Sequence, residues 1–215
     1  MENLQVLKAE QGLHQFQGLH SGEREIVFYA ETSSDWLHFE PIIRELISDR
    51  GGEICYITSD INDPILEKTL PGIKSFFIGY GDSRTEFFKI LDVRVLAMTM
   101  PDLDNFYIKR SQTRTHYVYI FQSLISTHMG FIKGAFDNYD SILCAGPYHV
   151  SEIREAEQLY GLSPKKLVEC GYGHLDNIIK NYSGETNKKH NEKESLRVVI
   201  SPTYGPQSLS EIFNS

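Results

Sequence analysis

Positive charge is the first thing this sequence lacks. Its 21 Lys and Arg stand against 29 Asp and Glu, a formal net charge of −8. Non-specific binding of DNA or RNA needs a basic footprint, so nucleic acid is excluded as a general partner, although a local phosphate patch is not. No apolar run approaches the roughly 18–20 residues of a membrane span. The opening "MENLQVLKAEQGLHQF" has no basic segment followed by an apolar core, so no signal peptide is expected. Cysteine is scarce: Cys55, Cys144 and Cys170 are far apart and no pair has CxxC spacing. A disulfide framework is thereby excluded, and buried, reduced thiols in a cytoplasmic protein are expected. There is no HExxH and no Cys/His pair, so no metal is expected. A P-loop is missing too. "GYGDSR" (Gly79–Arg84) and "GYGHLD" (Gly171–Asp176) both lack the third glycine of a dinucleotide fingerprint. No cofactor is expected.

What is present is a globular composition, with 40% hydrophobic and 23% charged residues. Short apolar runs alternate with helical patterns. "EIVFYAE", "EICYITSD", "IKSFFIGYG", "VRVLAMTMPD", "THYVYIFQS", "SILCAG" and "KLVECGYG" read as strands. "SSDWLHFEPIIRELISDRG" reads as a helix with Ser34 or Asp35 as its cap and Gly51 or Gly52 as its end. "NDPILEKTL" reads as a short helix. "PYHVSEIREAEQLYG" has Pro147 suited to a first turn and Gly161 to a helix end, and "HLDNIIKNY" is a further helix. Strands joined by helices imply an α/β fold, a Rossmann-like parallel sheet with helices on both faces. The polar stretch "SGETNKKHNEKES" reads as a linker. The expected organisation is residues 1–182 as one domain, 183–195 as the linker and 196–215 as the start of a second domain, cut short or supplied elsewhere.

The candidate chemistry begins with His128, in the "STHMG" loop after the "YVYIF" strand. Ligands of open parallel sheets bind beyond the carboxyl ends of the strands. A histidine there can take a proton at neutral pH and serve as a general base. A capping or backbone-bonding histidine is the competing structural reading. His128, His149 and His174 lie in three loops that this topology can bring to one sheet edge. The "SPTYGP" loop (Ser201–Pro206) can present hydroxyls and backbone amides to a phosphate, or form an ordinary turn.

The order "STHMG … DSILCAGPYHVSEIREAEQLYG … KKLVECGYGHLDNII … RVVISPTYGP" resembles the CDP-glycerol glycerophosphotransferase family. Its members build teichoic-acid-like polymers on a GT-B scaffold of two Rossmann-like domains. The resemblance covers about Tyr117 to Gly205. It departs from the family pattern in three places: His128-Met129-Gly130 for His-Gly-Thr, Gly173-His174 for Pro-Arg, and Tyr204-Gly205 for an aromatic-arginine pair. It implies a transferase that moves glycerol phosphate from CDP-glycerol to a hydroxyl of a polymer or lipid-linked acceptor, with residues 1–182 as the acceptor-side domain. His128 would be the base. Thr127, Gly130, Lys133, His149, His174, Ser201 and Thr203 would bind substrate. The implied location is the cytoplasm, peripherally at the inner face of the cell membrane. Two alternatives stand beside it: a GT-B sugar-nucleotide enzyme, such as a UDP-GlcNAc 2-epimerase or glycosyltransferase, and a truncated, inactive or purely binding half.

Overall fold

In the computed structural model, residues 2–106 and 108–183 are described. The chain divides into two compact units, Met1–Ile179 and Lys180–Ser215, and of the second only Lys180–Ser183, the end of the helix that begins at Gly173, is described. The expected linker after Ser183, the strand and helix start at 196–215, Ser201 and Thr203 lie outside the described residues.

The elements run α1 (Glu2–Gln17), β1 (Ile26–Ala30), α2 (Trp36–Arg50), β2 (Ile54–Thr58), β3 (Ile73–Phe77), α3 (Asp82–Ile90), β4 (Val95–Met98), β5 (His116–Ile120), α4 (Thr127–Gly130), β6 (Ser141–Cys144), α5 (Pro147–Tyr160), β7 (Lys166–Glu169) and α6 (Gly173–Ser183). All seven strands are parallel, in the order β3-β2-β1-β4-β5-β6-β7. The first six follow the doubly wound order of a Rossmann-like sheet.

Alternation along each strand builds two cores. Val27, Tyr29, Cys55, Ile57, Leu96, Met98, Tyr117 and Tyr119 face one side. Phe28, Ala30, Ile54, Tyr56 and Ala97 face the other. Because both faces are covered, β1 and β2 read as continuous apolar runs and are buried almost throughout. The first face is packed by Phe16 of α1, Phe87 and Phe88 of α3 and Ile153 of α5. Phe39 and Ile43 of α2 and Ile65 of a 3₁₀ turn pack the second. Full burial of each such side chain stabilises the fold by about 1.5–3 kcal/mol.

Helix ends follow the residues that suit them. Gly51 and Gly161 adopt left-handed φ values of 59° and 64°, and their N–H groups close α2 and α5 on the carbonyls of Ile47 and Glu157. Asp35 holds the expected cap position of α2, but its side chain makes no capping bond to that helix. A 3₁₀ turn over Ser33–Asp35 precedes it, and the Thr32 N–H donates to the Asp35 carboxylate at 3.0 Å. Asp35 is thereby buried rather than left as a surface cap.

Two helices were not legible as such. In α1, Ala9, Gly12 and Phe16 form the buried face. α3 begins right after the glycine pair, with Gly79 and Gly81 at φ values of 64° and 69°. The GYGDSR stretch therefore serves a tight turn into a helix. Between β4 and β5 there is no helix among the described residues, and between β5 and β6 only the single turn of α4. Aromatic packing stands in for helix there, with Phe131, Phe136 and Tyr139 clustered around Tyr119.

Candidate functional site

The carboxyl ends of the strands carry the polar loops, as the doubly wound topology requires. At the switch point between β1 and β4, a cavity of about 280 Å³ is bordered by Glu31, Thr32, Ser34, Asp35, Thr99 and Gln122. The Asp35 carboxylate accepts hydrogen bonds from the Thr99 hydroxyl at 2.7 Å and from the Gln122 amide. Together with the Thr32 N–H, this bond set ties the loops after β1, β4 and β5 to one carboxylate. None of these residues is marked as a site residue by the sequence; Ser34 and Asp35 read there only as helix caps. The available signal was positional only: "ETSSD" and "TMPD" each follow a strand.

His128 sits in α4, and its side chain is 49% exposed. Ser126 begins that turn by accepting the His128 N–H. The His128 Nε2 lies 4.0 Å from the Glu155 carboxylate, within ion-pair reach and beyond a hydrogen bond. His128, Lys133, Ile153, Glu157 and Tyr160 share a cavity of about 150 Å³ between the 127–137 segment and α5. The Lys133 ammonium stands 3.9 Å from the centre of the Tyr160 ring. Thr127 does not face this ligand space freely: its N–H and hydroxyl both donate to Glu152. Burial works to raise the Glu152 pKa, but the bonds from Thr127, with help from Ser126 and His128, hold it below the ordinary carboxylate value. Gly130 closes the turn on the Ser126 carbonyl, and its missing side chain leaves room for Ile125, whose Cδ1 would lie 2.1 Å from an added Cβ.

His149 is fully buried in α5 and stacks on Phe121 with ring centres 3.9 Å apart. The Ala145 N–H donates to its Nδ1, and its Nε2 donates to the Ile125 carbonyl at 2.9 Å. Both ring nitrogens are engaged within the protein. His174, at the start of α6, lines a third cavity of about 430 Å³ together with His38, Tyr172 and Asp176. The three histidines read as able to converge therefore share no cavity, and the imidazole that neighbours His174 is His38, at 5.4 Å between ring centres. Among the described residues no group of three or more His, Cys, Asp or Glu is placed to hold a metal ion, and no helix is long and apolar enough to cross a membrane.

No family model, no curated protein and no solved structure matches this chain. Function is therefore read from the motif order and from the geometry just described.

Proposed function

We propose that this chain is the acceptor-side part of a glycerophosphotransferase, transferring glycerol phosphate from CDP-glycerol to a hydroxyl acceptor on a polymer or lipid carrier. The observation that carries the reading is the exposed His128 beside Glu155, on the loop after β5. A base flanked by a carboxylate is the arrangement that activates a hydroxyl nucleophile. The acceptor oxygen attacks the β-phosphorus of CDP-glycerol, the bond to the bridging oxygen breaks and CMP leaves. The acceptor proton passes to His128, and Glu155 offsets the charge that develops on the ring. Lys133, on the same cavity, supplies a cation for phosphate oxygens. Most of the rate gain in such a transfer comes from positioning and charge stabilisation.

The test supplies the full-length protein with CDP-glycerol or UDP-N-acetylglucosamine, each with a hydroxyl-terminated glycerol phosphate oligomer. CMP release with CDP-glycerol alone is the expected result. UDP release instead would move the chain to the sugar-nucleotide enzymes. His128→Ala should lower CMP release by about 10²–10⁴-fold. Unchanged release would remove His128 from the mechanism.

A further inference from the structure

The 430 Å³ cavity combines an apolar interior with a polar rim, and its wall chemistry is one-sided. Its interior is formed by Ile42 and Leu46 of α2 and by Ile120 and Leu143 of the sheet. α2 and α6 approach closely at its edge: a Cβ on Gly173 would lie 2.6 Å from the Pro41 ring. The polar groups at the rim are His38, Glu45, Tyr172, His174 and Asp176, and among the described residues no Lys or Arg lines the space.

The Tyr172 hydroxyl donates its single proton to the Gln122 carbonyl. Its 3.3 Å contact with the His38 Nδ1 must then run the other way, with Nδ1–H donating to the phenol oxygen. This fixes the neutral His38 ring with a bare lone pair on Nε2, which has no partner among the described residues. Burial, followed by the nearby His174, lowers the His38 pKa, which keeps the ring neutral. Glu45 and Asp176 are exposed and take part in no ion pair among the described residues. The rim thus offers a neutral acceptor and two carboxylates over an apolar interior. The two acids would repel a phosphate or carboxylate ligand.

We propose that the cavity between α2, α6 and the ends of β5–β7 binds an organic amine, with the ammonium at Glu45, Asp176 and His38 and an apolar body against Ile42, Leu46, Ile120 and Leu143. A space of this volume suits a compact apolar group, within the range of small-molecule pockets. This site is separate from the His128 cavity and does not depend on the transferase reading.

The probe is 2-phenylethylamine, titrated by calorimetry into the full chain, with 3-phenylpropionate as a ligand of like body and opposite charge. The amine should bind at one site with a Kd of about 0.1–1 mM, as expected for a fragment of this size, and the acid at least about tenfold more weakly. Glu45→Gln with Asp176→Asn changes two exposed side chains, so the fold should be retained, and it should weaken the amine about tenfold. Cys170→Trp, at an exposed position on the same wall, should block entry and abolish binding. The proposal fails if the amine does not saturate below about 10 mM. It fails equally if the acid binds as tightly, or if either variant, with an unchanged Tm, binds the amine as the parent does.

Discussion

His128 and His149 illustrate how position decides chemistry. His149 looked like a phosphate contact, but it is 0% exposed and both its nitrogens are bonded. His149→Ala should empty ring volume against Phe121 and orphan the Ala145 N–H and Ile125 carbonyl, lowering stability by about 2–4 kcal/mol in urea denaturation. His128→Ala should leave stability within about 0.5 kcal/mol, because an exposed loop side chain makes few packing contacts. A third residue carries a pH signature. Asp102 adopts a left-handed φ of 65°, and its Oδ1 is buried without a hydrogen-bond partner. Burial raises its pKa above 3.8. A carboxyl that ionises less readily folded than unfolded loses stability as pH rises through its unfolded value, and the loss persists at neutral pH. Asp102→Asn, which tolerates the same backbone, should therefore raise Tm at pH 7. The gain should vanish at about pH 3, where the acid is protonated in both states. A gain of equal size at both pH values would rule out the charge as its cause.

At the scale of elements, the strands were the legible part. Continuous apolar runs such as "ICYIT" announce a strand buried on both faces, and Pro147 and Gly161 mark the two ends of α5. α1 was opaque because its buried stripe is made of small residues and a single aromatic, Ala9, Gly12 and Phe16, among exposed leucines and polar side chains. Its packing only becomes intelligible with β3 beside it: a Cβ on Gly12 would lie 2.0 Å from the Phe77 carbonyl oxygen. Gly12→Ala must push the helix off that strand, at a cost of about 1–3 kcal/mol. Hydrogen exchange should quicken in α1 and leave β1, β2 and β4 protected; uniform loss of protection would contradict this local account. The site was only partly legible for a related reason. His128 is marked by its loop, whereas Asp35 and Gln122 acquire meaning only when three separated loops meet. His38 likewise gains its role from Tyr172, far along the chain.

For the whole molecule, the three thiols report on the fold at once. Burial raises the Cys55 pKa to about 12 and the Cys144 pKa to about 11. Cys170, expected to be buried with them, is instead exposed, although partial burial still raises its pKa. Iodoacetamide at neutral pH should modify Cys170 alone in the native protein and all three thiols in urea, read by mass spectrometry. Native labelling of Cys55 would mean that the central strands open without global unfolding. The strand order has a kinetic consequence. Most neighbours in the sheet are also neighbours in the chain, such as Val27 with Cys55 or Val118 with Ser141. The seam between β1 and β4 is the exception, joining Ile26 to Val95 across two intervening strands and two helices. Closing that longest loop carries the largest entropy penalty of any pairing in the sheet. During synthesis, β1 must wait for β4 to leave the ribosome before its second edge is covered. The Asp35–Thr99–Gln122 junction lies across this seam. It cannot exist until the two halves of the sheet have met, so the crevice at the switch point is assembled late in the life of a nascent chain.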